Sequence, residues 1–228
     1  MESGTPGPPP APEAPVPSPV GPIGGTDGTP QVRAGDGPPS APYVAVTEFD
    51  RQDEYSRFLP IVKGLLLIPH WFMLIFVGIA ALFVIVWAFF AVLFTGKFPE
   101  AAHSFITGTY RWATRVYAYM LLMTDRYPPF SLDDDDEYPA RLDIAYTEEI
   151  ARWRPLVHWL LVIPYLFVAG ALLMVLYVTT IIAFFAILFT KKFPEALFDF
   201  NVVALRWQTR GNAYAYWMTE RYPPWVWS

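Results

Sequence analysis

Residues 63–97 read KGLLLIPHWFMLIFVGIAALFVIVWAFFAVLFTGK, and the 33 residues between the two lysines include no Asp, Glu, Lys or Arg. A second charge-free stretch of 36 residues, PLVHWLLVIPYLFVAGALLMVLYVTTIIAFFAILFT, separates Arg154 from Lys191. About 20 apolar residues suffice to cross a bilayer core, whereas buried helices of soluble domains rarely exceed ~14. Both stretches therefore predict membrane helices. Each carries a proline near its start, Pro69 and Pro164. Proline lacks a backbone donor and crowds the turn before it. The reading is a short lead-in helix before each proline and a long membrane helix after it, over residues 70–95 and 165–190. Twenty-six residues extend ~39 Å at about 1.5 Å per residue, enough to cross with tilt.

Working outward, each stretch ends in a turn followed by a second helical pattern, over residues 99–124 and 194–219. Pro99 and Pro194 suit a first helical turn, and Glu100 and Glu195 lie at the positive end of the helix dipole. In the first pattern Glu100, His103, Ser104, Thr107, Arg111, Thr114 and Arg115 recur at three- and four-residue spacing, one narrow polar stripe. In the second the stripe holds Glu195, Asp199, Arg206, Thr209 and Arg210.

Two placements of these helices compete. In one they lie in the membrane interface with the stripe toward water. In the other they cross back with the stripe in a bundle interior, at about 2.5–3.5 kcal/mol for each central arginine. Charge bias favours crossing. If both cross, the termini and the 125–158 linker share one side, which carries Arg51, Arg57, Lys63, Arg126, Arg141, Arg152, Arg154 and Arg221. The other side carries Lys97, Lys191 and Lys192. The expectation is an all-α, multi-pass plasma-membrane protein of four crossing helices in two hairpins, with a cytoplasmic N-terminus. Two spans plus interfacial helices are the alternative.

The chain is duplicated. Residues 57–132 align with 152–227 at an offset of 95 without a gap, with 33 identities in 76 positions. Lys97-Phe98-Pro99-Glu100-Ala101 recurs as Lys192-Phe193-Pro194-Glu195-Ala196, and Arg111-Trp112-x-Thr114-Arg115 as Arg206-Trp207-x-Thr209-Arg210. The apolar middle, 73–87, shares no identity with its partner, because lipid-facing helix demands hydrophobicity alone. Short β-like stretches precede the units, Tyr43–Thr47 and Arg141–Ile144, and could pair. The organisation is a Pro/Gly-rich disordered tail over 1–42, a membrane repeat over 43–132, an acidic linker over 133–138 and a second repeat over 139–228. The tail holds 13 of the 24 prolines and no aromatic residue, too little apolar surface to offset chain entropy. Asp133 to Glu137 lack the ligand spacing of a known cation loop and read as solvated.

Composition sets the functional limits. Charged residues are 16% of the 228, against about 25% in soluble domains. The net charge of -5 gives no basic footprint for nucleic acid. There is no cysteine for a disulfide, a thiolate site or a nucleophile. His70, His103 and His158 have no metal-ligand spacing, and no phosphate loop or nucleophile elbow occurs. Neither a cofactor nor a catalytic residue is expected. The lead is the arginine stripe. Arg111, Arg115, Arg206 and Arg210 could hold an anionic lipid headgroup. Alternatively they pair structurally with Glu100, Glu195 or Asp199, with Trp112, Trp207, Tyr127 and Tyr222 as interfacial anchors.

Several motifs together resemble a known family. The Ile-Pro-His and Ile-Pro-Tyr pair at 68–70 and 163–165, the Leu-Phe-Thr-x-Lys-Phe-Pro-Glu turn, the Arg-Trp-x-Thr-Arg helix and the Tyr-Pro-Pro ends are similar to the bacterial membrane family termed domain of unknown function 4389. The resemblance covers residues 43–228 in two copies. It implies an integral membrane protein and transfers no activity. The expected role is a non-catalytic accessory or scaffold subunit contacting lipid and a membrane-protein partner or another copy of itself. An oligomeric channel or carrier and a lipid-modifying enzyme are the competing classes.

Overall fold

The computed structural model describes residues 43–227. The tail over 1–42 therefore lies outside the described residues. The chain order is β1 (Ala45–Phe49), α1 (Leu59–Leu66), α2 (Ile68–Thr95), α3 (Glu100–Met120), β2 (Ala140–Ile144), α4 (Arg154–Leu161), α5 (Ile163–Thr190) and α6 (Glu195–Ala215). The lead-in helices α1 and α4 each break from the long helix at one residue, Leu67 and Val162, two positions before the proline. The long helices run 28 residues each, ~42 Å. The second helices are shorter than expected, 21 residues each.

Both long helices end in a residue in the left-handed conformation, Gly96 at φ +74° and Lys191 at φ +59°. The chain then doubles back. Trp112 on α3 donates from its indole N–H to His70 Nδ1 at the start of α2 (3.0 Å), and Thr179 on α5 bonds Asn201 on α6. Each repeat is thus an antiparallel helical hairpin. Its inner seam on α5 is Val162, Tyr165, Ala169, Leu176, Thr179, Ala183 and Ile187, a single stripe at helical spacing.

The two hairpins lie head to tail. Ala102 and Ile106 at the start of α3 share a core with Ala213, Trp217 and Met218 at the end of α6. Leu121, Leu122 and Met123 after α3 share another with Phe193 and Phe198 before and in α6. β1 and β2 pair antiparallel, Thr47 opposite Leu142, and pack against α6 and α3 respectively. The all-α expectation is corrected by this two-stranded sheet. Its two strands come from the two repeats, so the pairing joins the copies.

The middle helices are enclosed. From Asn201 to Thr219 no residue of α6 or its exit is exposed, and on α3 beyond Ser104 Tyr117 alone is. α2 and α5 differ sharply. Their outer faces expose Phe72, Phe76, Phe83 and Phe94, and Phe167, Ile181, Phe185 and Phe189. Two helical runs, Leu59–Thr95 and Ile163–Thr190, are long and apolar enough to cross a membrane. Only 17% and 22% of their most apolar windows are buried, which argues against soluble core helices.

The connecting segments reach the hairpin turns. Tyr55 N–H donates to Lys191 O (2.9 Å), and its repeat equivalent Ile150 donates to Gly96 O (3.0 Å). Phe98 N–H donates to Glu148 O, and Lys97 pairs with Glu148 at 2.7 Å. These contacts set the turn of each hairpin beside the segment that leads into the other hairpin.

Candidate functional site

The polar stripes of α3 and α6 face the strand pair and the loops beside it. Arg111 Nε donates to Leu142 O at 2.9 Å, and Arg206 Nε donates to Thr47 O at 3.1 Å. Leu142 and Thr47 are strand partners and also repeat equivalents, so a pseudo-twofold axis passes between them. A guanidinium suits this position because it stays charged and its planar donors match fixed carbonyls. Arg111 also pairs with Asp143 at 2.6 Å and approaches Asp134 at 3.8 Å.

Arg115, 1% exposed, donates to Asp133 O (2.6 Å) and weakly to Ser131 O (3.5 Å). The acidic linker therefore contributes through its backbone as well as its charges. Arg210, the equivalent of Arg115, differs. Its Nε and Nη1 are enclosed with no hydrogen-bond partner among the described residues. The nearby Tyr165 hydroxyl is likewise enclosed and unpartnered. Burial pushes the Arg210 guanidinium down from its ordinary pKa.

Among the described residues the stripe carboxylates do not pair with the stripe arginines. Glu195 pairs instead with Arg51 at 3.3 Å. Asp199 is exposed and enters no ion pair among the described residues. Seven residues of helix separate Asp199 from Arg206, and the arginine turns to the nearer carbonyl of Thr47.

The symmetry extends through contacts that the aligned motifs do not reach. Tyr138 OH donates to Arg126 O (2.9 Å) and sits 3.4 Å from Arg115 O. Tyr43 OH, 95 residues earlier, makes the same pair with Arg221 O (3.2 Å) and Arg210 O (3.4 Å). Asp125 accepts from Ser56 N–H and Glu220 from Ala151 N–H, again an equivalent pair. Sequence reasoning passed over Tyr43 and Tyr138 because few residues around them are identical. Their shared offset of 95 was the available signal.

The three histidines pack against aromatic rings. His70 stacks on Phe130 (3.8 Å between centroids) and His158 on Tyr214 (4.1 Å). His103 lies edge-on to Tyr146. The three lie in separate surroundings. Trp112 and Trp207 are buried, Trp207 donating to Val226 O, so neither is an interfacial anchor here. Tyr127, 42% exposed, and Tyr222, at 36%, lie at the surface.

A family model described as Domain of unknown function (DUF4389) matches residues 61–131 and 152–226. No curated protein and no solved structure matches the chain.

Proposed function

Since the chain belongs to the DUF4389 family, in two tandem copies, we propose that it is a non-catalytic integral membrane protein that lies in the plane of the bilayer and presents a polar platform to a partner. The observation that carries this reading is the sidedness of the fold. The outer faces of α2 and α5 are apolar along their whole length, a patch far larger than soluble surfaces tolerate. The strand pair, packed on the middle helices, exposes Glu48 and Asp143 beside Arg141, with Asp134 of the linker next to them. If α2 and α5 stood upright across the membrane, these charges would sit near its midplane, where each costs about 2.5–3.5 kcal/mol. Lying flat immerses the apolar faces and leaves the charges in water.

The non-catalytic part rests on the stripe. Three of its four arginines donate to main-chain carbonyls, an architectural use. The platform suits a membrane-protein partner or a second copy of this chain.

The absence of native cysteine makes the test direct. Lys97→Cys and Asp134→Cys each introduce a unique thiol, one in a hairpin turn and one in the linker. An impermeant maleimide applied to oriented vesicles should reach both from the same side. Labelling from opposite sides would overturn the in-plane reading and restore the crossing hairpins.

A second reading, an anionic headgroup at Arg210, is favoured by the unpartnered Nε and Nη1 beside the Tyr165 hydroxyl. Arg210→Gln should then lower copurifying anionic phospholipid, while Arg111→Gln should not.

A further inference from the structure

Between α3 and α6, at the pseudo-twofold axis, lies a cavity of about 260 Å³. One part of its wall is apolar, with Phe49 from the sheet, Leu121 just after α3, and Leu173, Leu176 and Leu205 from α5 and α6. Another part is polar and uncharged. Thr114 and Thr209 face each other as repeat equivalents, with Gln208, Asn212 and Tyr110 beside them. No Asp, Glu, Lys, Arg or His lines it.

The polar groups are incompletely used. Gln208 Nε2 donates to Asn212 Oδ1 at 3.1 Å, and Thr209 Oγ1 donates to Leu205 O at 3.0 Å. No hydrogen bond among the described residues uses the Gln208 carbonyl oxygen or the Asn212 amide nitrogen. An acceptor and a donor therefore stand side by side on one turn of α6.

Size and chemistry select the occupant. At ~30 Å³ per water the space equals about nine waters. Each buried water needs two to four polar partners, far more than this largely apolar wall supplies. A charged ligand would lack a counter-charge, and burying an unpaired ion is expensive. A molecule with an apolar body and one hydrogen-bonding end satisfies both walls, the usual make-up of a small-molecule site. Tyr117 and Tyr177, 38% and 49% exposed, border the cavity and give it a route to the exterior.

We infer that this cavity binds an uncharged amphiphile of roughly nine non-hydrogen atoms, or a segment that long, whose hydroxyl or carbonyl end meets Gln208 and Asn212. This goes beyond the platform reading and is independent of how the protein sits in the membrane.

The test uses the full chain in detergent micelles with a diazirine-bearing 1-octanol, photolysed and mapped by peptide mass spectrometry. Labelling should concentrate on Tyr117, Tyr177 and their neighbours in the cavity. Unlabelled 1-octanol should displace it, and octanoate at pH 8 should need at least tenfold more. Ala113→Trp, which fills the space, should cut displaceable labelling at least fivefold with helical circular dichroism retained. Leu205→Trp serves the same purpose should Ala113→Trp misfold. Labelling spread over the outer faces of α2 and α5 without displacement, or persisting in a folded cavity-filled variant, would overturn the site. Octanoate competing as well as octanol would overturn the uncharged assignment.

Discussion

Arg111 and Arg206 stand 95 positions apart and donate from the same nitrogen to the carbonyls of Leu142 and Thr47, two residues that face each other across one strand pair. Duplication thus preserved a crossed arrangement. α3 of the first copy holds the strand of the second, and α6 of the second holds the strand of the first. Neither hairpin completes its own polar face, so the copies depend on one another.

This arrangement predicts an order of stabilities. A charged donor on a carbonyl contributes about 1.5–3 kcal/mol. Arg111 adds a pair with the mostly exposed Asp143, about 0.2–1 kcal/mol. Arg111→Gln should therefore lower unfolding stability in detergent by somewhat more than Arg206→Gln. An ion pair between Arg206 and Asp199 demands the reverse order, with rescue by Asp199→Asn. Thermal melts of the three variants decide between them.

How much of this was legible varies by element. The long helices declare themselves through uninterrupted apolar sequence, to within two residues at their starts, and the lead-in breaks through Pro69 and Pro164. The strand pair was hinted at by Tyr43–Thr47 and Arg141–Ile144. One stretch precedes each unit, so their pairing already implied a bridge between the copies; that the strands are repeat equivalents was hidden, because Val46 stands against Arg141 and Thr47 against Leu142. The partners of the stripe arginines were illegible for a physical reason. Their acceptors are backbone carbonyls, which every residue carries, so sequence favoured the visible carboxylates Glu195 and Asp199. The cavity was hidden too, since it arises where Ala113 and Thr114 meet Gln208 and Thr209 across the symmetry axis.

The turn after α5 carries removable strain. Lys191 holds φ +59° where Gly96 holds +74° in the other copy. A side chain in this region costs ~1–2 kcal/mol. The Lys191 side chain is exposed, so little else is at stake. Lys191→Gly should raise the melting temperature, by an amount corresponding to about 1 kcal/mol. Gly96→Ala should lower it comparably. A lowered melting temperature in Lys191→Gly, or a raised one in Gly96→Ala, would refute the shared backbone requirement.

Gly108 and Gly211 should respond unequally to alanine. A Cβ on Gly108 would lie 2.8 Å from Leu132 O and 2.9 Å from Leu132 Cβ. That loop also delivers the Ser131 and Asp133 carbonyls to Arg115, so moving it disturbs a buried guanidinium. At Gly211 the closest atom, at 2.7 Å, is the Leu166 Cδ2 end of a flexible side chain. Overpacking costs about 1–3 kcal/mol. Gly108→Ala should fall at the upper end and Gly211→Ala at or below the lower, read by denaturant titration. Equal losses would show that the loop yields as easily as the leucine.

Acid should weaken the fold through its buried histidines. His158 is fully buried, stacked on Tyr214 with Nδ1 3.0 Å from the Tyr214 carbonyl. Burial holds its pKa below the ordinary value. The Tyr214 bond opposes this, Arg154, 3.4 Å from Nε2, adds to it, and Glu220 opposes it weakly. Burial holds His103 down as well, against an upward pull from Asp143. In the unfolded chain both imidazoles take up a proton near pH 6.5. Above that value both states are neutral and stability is complete. As pH falls through it, the unfolded chain binds protons that the folded one refuses, and stability drops. The decline is at most ~1.4 kcal/mol per pH unit for each histidine, ending where the folded groups titrate. Chemical denaturation between pH 7.5 and 5.5 should show this slope, and His158→Gln should reduce it by roughly a third, because His70 and His103 are buried as well. A flat profile, or one the substitution leaves unchanged, would remove His158 as its source. Lys63, its repeat equivalent, is buried charged against Asp125 at 2.8 Å. The same corner of the fold is thus built around a cation in one copy and a neutral ring in the other.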